Sequence, residues 1–132
     1  MELSEQECDR VDSDRKAGSS SGTFVVRSQS GRALYFSKSP IPSRIRDSEK
    51  KSRYLKHIGI YGYRVDTLRK LCEFSPTHLE GIEQLEQLRA LENDIDIQVV
   101  QYDLQGRRLH SVDHPEDVLQ VEAIIREQGE LL

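Results

Sequence analysis

Cysteine is scarce in this 132-residue chain, which has only Cys8 and Cys72. Two thiols so far apart make no disulfide framework and fit no metal-binding spacing, so a reduced, cytoplasmic setting is the expectation. Apolar residues are sparse too: the hydrophobic set is 36% of the chain and aromatics are 6%. That is lean beside the roughly 45–50% apolar content of ordinary globular domains. No apolar run approaches the roughly 18 residues of a membrane span, which excludes an integral helical membrane protein. The opening residues, Met1-Glu2-Leu3-Ser4-Glu5, carry neither the basic start nor the apolar stretch of a signal peptide. Also missing are internal repeats, a Gly-rich phosphate loop, a Walker motif, a Rossmann fingerprint and a His/Cys metal cluster. One domain is the natural expectation at this length.

What is present is a sharp division of charge. The formal net charge is −4. Between Lys38 and Lys56, seven basic residues face only Asp47 and Glu49, a local charge of +5. Between Glu73 and Asp103, eight acids face only Arg89, a local charge of −7. A basic loop beside an acidic half argues against a general nucleic-acid binder. It points to a local anion site or an intersubunit contact, with a solvated loop as the plainer reading.

Residues 1–22 are polar and end in Ala17-Gly18-Ser19-Ser20-Ser21-Gly22, which is flexible-loop chemistry. Short helical turns are compatible with Leu3 to Val11, but no face there looks able to bury itself. The β-branched and aromatic run Thr23–Val26, the turn signal Ser30-Gly31 and the run Ala33–Phe36 predict a hairpin. Ser39-Pro40-Ile41-Pro42 is expected to be extended, and residues 43–53 a mobile charged loop. His57–Tyr63 reads as a buried strand with two glycines. Val65, Leu68, Leu71 and Cys72 recur at helical spacing. Thr77-His78-Leu79-Glu80 is a capping-box pattern opening a helix to about Asn93, with Ile82, Leu85, Leu88 and Leu91 as its stripe. Ile95, Ile97, Val99 and Val100 predict a strand. A last helix begins around Pro115 with Val118, Val121, Ile124 and Ile125 inward. Strands separated by helices indicate an α/β fold with a mixed sheet.

Four segments then look familiar together: Ala33–Pro42 (ALYFSKSPIP), Leu55–Arg64 (LKHIGIYGYR), Leu79–Arg89 (LEGIEQLEQLR) and Val112–Asp117 (VDHPED). In that order they resemble the C-terminal half of the 3-deoxy-manno-octulosonate (KDO) cytidylyltransferases, the CMP-KDO synthetases. The resemblance runs from about Thr23 to Ile125. It implies the C-terminal portion of a nucleotide-diphospho-sugar-transferase-like mixed sheet with flanking helices and a hairpin. Residues 23–132 would be the sugar-binding and dimerisation half, behind a flexible polar segment at 1–22. Family members couple CTP to KDO with Mg²⁺, releasing pyrophosphate and giving CMP-KDO for lipopolysaccharide. The family's triphosphate loop, base pocket and one metal-binding aspartate lie in its N-terminal half. The resemblance therefore implies that this chain meets CTP only together with such a half. The expected assembly is a homodimer or a pairing with a separate N-terminal partner, without membrane or nucleic acid. The alternative from another class is a non-catalytic sugar-acid-binding or dimerisation module.

The resemblance also assigns residues. Asp113 matches the family's second Mg²⁺-binding aspartate, and a carboxylate plus phosphates suits that hard cation. The residues alone leave Asp113 or His114 as a helix N-cap before Pro115. His57 is placed at the sugar, where an imidazole can hydrogen-bond a hydroxyl or carboxylate. Glu83 and Glu86, at i and i+3, could accept from sugar hydroxyls, with Gln87 adding a donor and an acceptor. A solvated helical face is the plainer reading of that pair, and Glu80 reads as the cap. Lys38 stands where the family typically has arginine; it keeps the charge but lacks the planar two-pronged geometry. Tyr61 and Tyr63 read as packing residues before ligand-stacking ones.

Overall fold

The computed structural model describes residues 1–18, 22–49, 52–104, 107, 112, 115 and 117–129. They form two compact units, Met1–Tyr102 and Asp103–Leu132.

The first unit is built on a hairpin. β1 (Phe24–Arg27) pairs antiparallel with β2 (Ala33–Ser37), with Val25 opposite Phe36 and Phe24 opposite Ser37. Gly31 makes the turn at φ +84°, a conformation that costs glycine little. On its other edge β1 pairs antiparallel with the short β3 (Leu55–Lys56), so the strand order is β2-β1-β3. Beyond β3 the N-terminus continues the ladder: Leu3 N–H donates to the Tyr54 carbonyl at 2.9 Å and Lys56 N–H to the Met1 carbonyl at 2.8 Å. The class is α/β with flanking helices, as expected. The sheet itself is wholly antiparallel.

Successive strand residues point to opposite faces of a sheet, and here each face has its own core. Val25, Ala33 and Phe36 pack with Leu85 and Leu88. Phe24 packs on the other side with Leu3, Cys8 and Tyr54. The second core corrects the reading of the N-terminal segment as having no face to bury. α1 (Glu5–Lys16) is a 12-residue helix with Ser4 as its N-cap. Glu7 closes a capping box by accepting from the Ser4 backbone N–H at 2.8 Å. Cys8 is fully buried beneath it.

The same helix changes the meaning of the basic loop. Arg44 is not solvated; its side chain is 4% exposed. It donates to Asp12 Oδ2 at 3.0 Å and Asp9 Oδ1 at 3.4 Å, and its guanidinium lies 5.5 Å from the centroid of the Tyr54 ring. The Tyr54 hydroxyl in turn donates to Asp12 Oδ1 at 2.5 Å. Between Ser39 and Pro42 the chain bends, and the Ile41-Pro42 peptide is cis.

α2 (Val65–Glu73) forms as its spacing predicts, with Leu71 its buried residue. The stripe behind Thr77 does not make one helix. It makes α3 (His78–Glu83) and α4 (Gln87–Glu92), because Gln84 takes a left-handed conformation at φ 54° and turns the chain. The expected buried strand at 57–63 is also absent: beyond Lys56 the segment has no regular structure, and Ile60 is 83% exposed. Ile95–Val100 contributes a single bridge, Gln98 to Arg32, with Ala33 N–H donating to the Ile97 carbonyl at 2.8 Å.

In the second unit α5 spans Asp117–Gln128. It begins just after Pro115, close to its expected start. Arg126 donates to Glu122 at 3.1 Å, one turn back.

Candidate functional site

Three elements meet at the end of β2. The strand delivers Tyr35, Ser37 and Lys38, the α3–α4 junction delivers Glu83, Glu86 and Gln87, and the segment after β3 delivers His57, Tyr61 and Tyr63. The turn at Gln84 brings α4 back against β2, where Leu88 is fully buried with Phe36 and Val25.

Glu83 is the clasp of this arrangement. Its carboxylate accepts from Ser37 Oγ at 2.8 Å, from the Lys38 backbone N–H at 2.8 Å and from the Tyr35 hydroxyl at 3.3 Å. Ser37 Oγ also accepts from Ser39 N–H at 2.9 Å, which extends the clasp one residue further. A carboxylate so engaged orients its donors; it fixes where Lys38 leaves the sheet. Burial and then the Glu83 charge push the Tyr35 hydroxyl above its ordinary pKa.

The aromatic wall stands opposite. His57 meets Phe36 edge-on at 5.4 Å between ring centroids and Tyr61 edge-on at 5.1 Å. Tyr61 stacks on Tyr63 at 5.9 Å. Burial lowers the His57 pKa below its ordinary value, and the N-terminal ammonium and Lys38 add to the shift. A neutral imidazole offers one donor and one acceptor. Burial raises both tyrosine hydroxyls, and Glu86 raises them further, so they remain protonated donors. Glu86 itself is 75% exposed, with Arg89 Nη2 at 3.9 Å.

Gln87 is buried, yet its Nε2 makes no hydrogen bond. An unmet buried amide donor is costly and uncommon in folded proteins. Glu80 has a different role. It accepts from the Thr77 backbone N–H at 3.0 Å and pairs through both oxygens with Arg89, at 2.9 Å from Nε and closer still from Nη2. That pair holds α3 to α4 and brings the Glu80 carboxyl down to about 2.

Of the residues singled out in the sequence, Lys38 lies within electrostatic reach of His57, and Glu86 of Tyr61 and Tyr63. Glu83 is committed to the hairpin, Gln87 lies buried beneath, and Asp113 falls outside the described residues. Among the described residues no three His, Cys, Asp or Glu side chains are grouped as a metal cage requires. Tyr35 and Ser37 were not singled out, and nothing local in the sequence marks them. Tyr61 and Tyr63 could have been promoted by their two-residue alternation with His57 along one strand-like edge.

A surface of hydroxyl donors, a neutral imidazole, one exposed carboxylate and one lysine suits a polyhydroxylated acid. Known proteins resemble this chain over most of its length. The cytidylyltransferase family model matches residues 4–97. The 3-deoxy-manno-octulosonate cytidylyltransferase of Maricaulis maris is 51% identical over 93% of this chain and 47% of its own length. That of Koribacter versatilis is 44% identical over 80% of this chain and 38% of its own length. The solved structure of a CMP:2-keto-3-deoxy-manno-octonic acid synthetase complexed with CTP superposes with a TM-score of 0.73 at 32% identity, covering 96% of this chain and 47% of that one. The chain thus spans about half the length of the curated relatives it matches. It belongs to the cytidylyltransferase family.

Proposed function

We propose that this chain is the sugar-acid-binding half of a KDO cytidylyltransferase, which transfers CMP from CTP to KDO and releases pyrophosphate. The observation that carries the reading is the joining of Lys38, His57, Glu86 and the Tyr61–Tyr63 pair around one partly open wall, in a chain 51% identical to an enzyme of that name. In this reading the Lys38 ammonium faces the carboxylate of the sugar acid. His57 and the two tyrosine hydroxyls hydrogen-bond its ring oxygens. Glu86 accepts from a sugar hydroxyl, and the Gln87 amide finds the acceptor that it lacks within the chain. Positioning and charge neutralisation carry most of such a phosphoryl transfer.

The anomeric hydroxyl of the sugar attacks the α-phosphate of CTP. Magnesium, when bound, neutralises phosphate charge, and Asp113 is the residue that would hold it on this chain. The product serves lipopolysaccharide synthesis in the cytoplasm. No helix among the described residues is long and apolar enough to cross a membrane. The nucleotide and the second metal carboxylate come from a complementary half, so the chain alone forms no CMP-KDO.

Calorimetric titration of the chain with KDO tests the first part, and pyrophosphate release from CTP and KDO tests the second. Saturable KDO binding that is lost in Lys38→Ala and His57→Ala, without turnover, is the expected result. Turnover by the chain alone, abolished in Asp113→Ala, would sink the division of labour. The second reading is a non-catalytic sugar-acid-binding or dimerisation module, favoured by two cores that close within residues 1–102. Its mark is a stable dimer that ignores KDO.

A further inference from the structure

Ser37 is among the most enclosed polar residues of the first unit. It ends β2, opposite Phe24, and is 3% exposed. A serine hydroxyl has one proton to give and lone pairs to accept with. Here both are used. The proton goes to Glu83 Oε1 at 2.8 Å, and a lone pair takes the Ser39 N–H at 2.9 Å. The other oxygen of the same carboxylate, Oε2, takes the Lys38 N–H at 2.8 Å. A hydrogen bond to an ionised acceptor is of the strong kind.

The two pinned amides belong to the two peptide planes on either side of the Lys38 Cα. A residue has only two soft backbone torsions, one toward each plane. Fixing both N–H groups therefore sets φ and ψ of Lys38, and with them the direction in which its side chain leaves the backbone. The strand pairing does not reach this far, because β2 and its register with β1 end at Ser37. Orientation passes at that point from the ladder to side chains, and the Ser37 hydroxyl joins the two amide contacts into one unit with Glu83. We propose that Ser37 is a positioning residue: bonded to Glu83 and to the Ser39 amide, it holds the Lys38 backbone so that the ammonium faces the carboxylate of the sugar acid. This rests on the functional reading above.

The test is a double-mutant cycle with two readouts. Ser37→Ala deletes both bonds of the hydroxyl and should weaken KDO binding by about tenfold in calorimetry. Lys38→Ala should weaken it at least as much. The double variant should be no weaker than Lys38→Ala, because Ser37 acts only through Lys38. The second readout needs no ligand. His57 packs against the Phe36 and Tyr61 rings, and Lys38 adds to burial and the N-terminal ammonium in lowering its pKa. Its titration, followed by NMR and assigned through its loss in His57→Gln, should move upward in Lys38→Ala. Ser37→Ala should move it in the same direction, and the double variant should coincide with Lys38→Ala. Ser28→Ala is the control. It removes a hydroxyl that takes the Arg32 N–H at 3.1 Å at the far end of the hairpin, and it should change neither readout. If Ser37→Ala does not fold, Glu83→Gln replaces it, since it withdraws an acceptor oxygen from the same pair of donors, and the same shifts are expected. A Ser37→Ala protein that melts lower but keeps wild-type KDO affinity and a wild-type His57 midpoint would overturn the proposal. Additive losses in the double variant would do so as well. A wild-type chain that does not bind KDO refutes the functional reading instead, and the shared movement of His57 then still shows Ser37 holding Lys38.

Discussion

The two faces of one three-stranded sheet use similar residues to opposite ends. On the Phe24 face, Arg44, Asp9, Asp12 and Tyr54 form a set in which the buried cation is held between two carboxylates and a ring. On the Val25 face, Glu86, His57, Tyr61 and Tyr63 also combine charge with aromatic rings, but there the carboxylate is 75% exposed. The Tyr54 hydroxyl has its acceptor in Asp12, yet each face also buries one nitrogen without a hydrogen bond, Arg44 Nε on the first and Gln87 Nε2 on the second. Charge and aromatic content do not separate a structural cluster from a binding one. What differs is that the Arg44 cation is buried in two ion pairs, whereas the Glu86 carboxylate is 75% exposed.

That contrast can be broken most forcefully at Arg44. Truncation to alanine leaves Asp9 and Asp12 facing each other without their cation and empties a buried volume. Breaking a buried pair costs several kcal/mol. Because the two aspartates are partly exposed and screened, the expectation here is about 2–3 kcal/mol. Urea denaturation should show the midpoint falling, while KDO affinity per folded molecule stays unchanged. An unchanged midpoint would mean that the first face is not closed at all.

Glu83 lies between the two kinds of behaviour and sharpens the comparison. It was singled out as a sugar contact, yet two donors of β2 and the backbone N–H of the next residue, Lys38, already occupy it. Glu83→Ala should cost about 2 kcal/mol, the order expected when hydrogen bonds to a charged acceptor are lost. It should also weaken KDO binding by displacing Lys38. Lys38→Ala should weaken binding with no change in the urea midpoint. If Glu83→Ala and Lys38→Ala proved alike in both measurements, Glu83 would be a ligand contact and the clasp an accident of packing.

A smaller effect is expected from acid. The Glu80 carboxyl is held down to about 2, chiefly by its hydrogen bonds to Arg89. A carboxyl depressed in the fold stabilises it above the unfolded-state value near 4.5, and that stabilisation is lost as pH falls toward 2. Thermal melts between pH 5 and 2 should therefore fall, and fall less in Glu80→Gln. Because this pair ties α3 to α4 beneath the open face, KDO affinity should decline over the same window.

How much of this was legible in the sequence depends on how local each signal is. The hairpin, α2 and the cap at Thr77 and Glu80 rest on residues within a few positions of one another, and they form as read. The break between α3 and α4 escaped because it falls on Gln84, a residue type with no strong preference for positive φ. α1 was undervalued because its one fully buried side chain, Cys8, finds its partner in Tyr54, 46 positions away. The Glu83 donors are similarly remote, 45 to 48 positions back. For His57–Tyr63 the apolar run with two glycines suggested a buried strand, but the segment has no regular structure and Ile60 is 83% exposed. Composition indicates that a residue should be covered; only the assembled fold indicates by what.

The smallest expected effect tests the open face directly. His57 is half-buried against Phe36 and Tyr61, and its pKa is lowered by burial, by the N-terminal ammonium and by Lys38. The fold therefore favours the neutral ring, whereas the unfolded chain accepts a proton near pH 6.5. Protonation then favours the unfolded state, so stability should be greatest above that value and decline as pH drops below it, levelling off once the folded ring is also charged. His57→Gln should remove the decline while leaving the high-pH plateau nearly unchanged. Saturating KDO offers the decisive variation. If the sugar-acid carboxylate sits beside the ring, it stabilises the imidazolium, and the decline should shrink or reverse in its presence. A decline that is identical with and without KDO would place the ligand away from His57 and return this residue to the same structural role that Tyr54 plays on the opposite face.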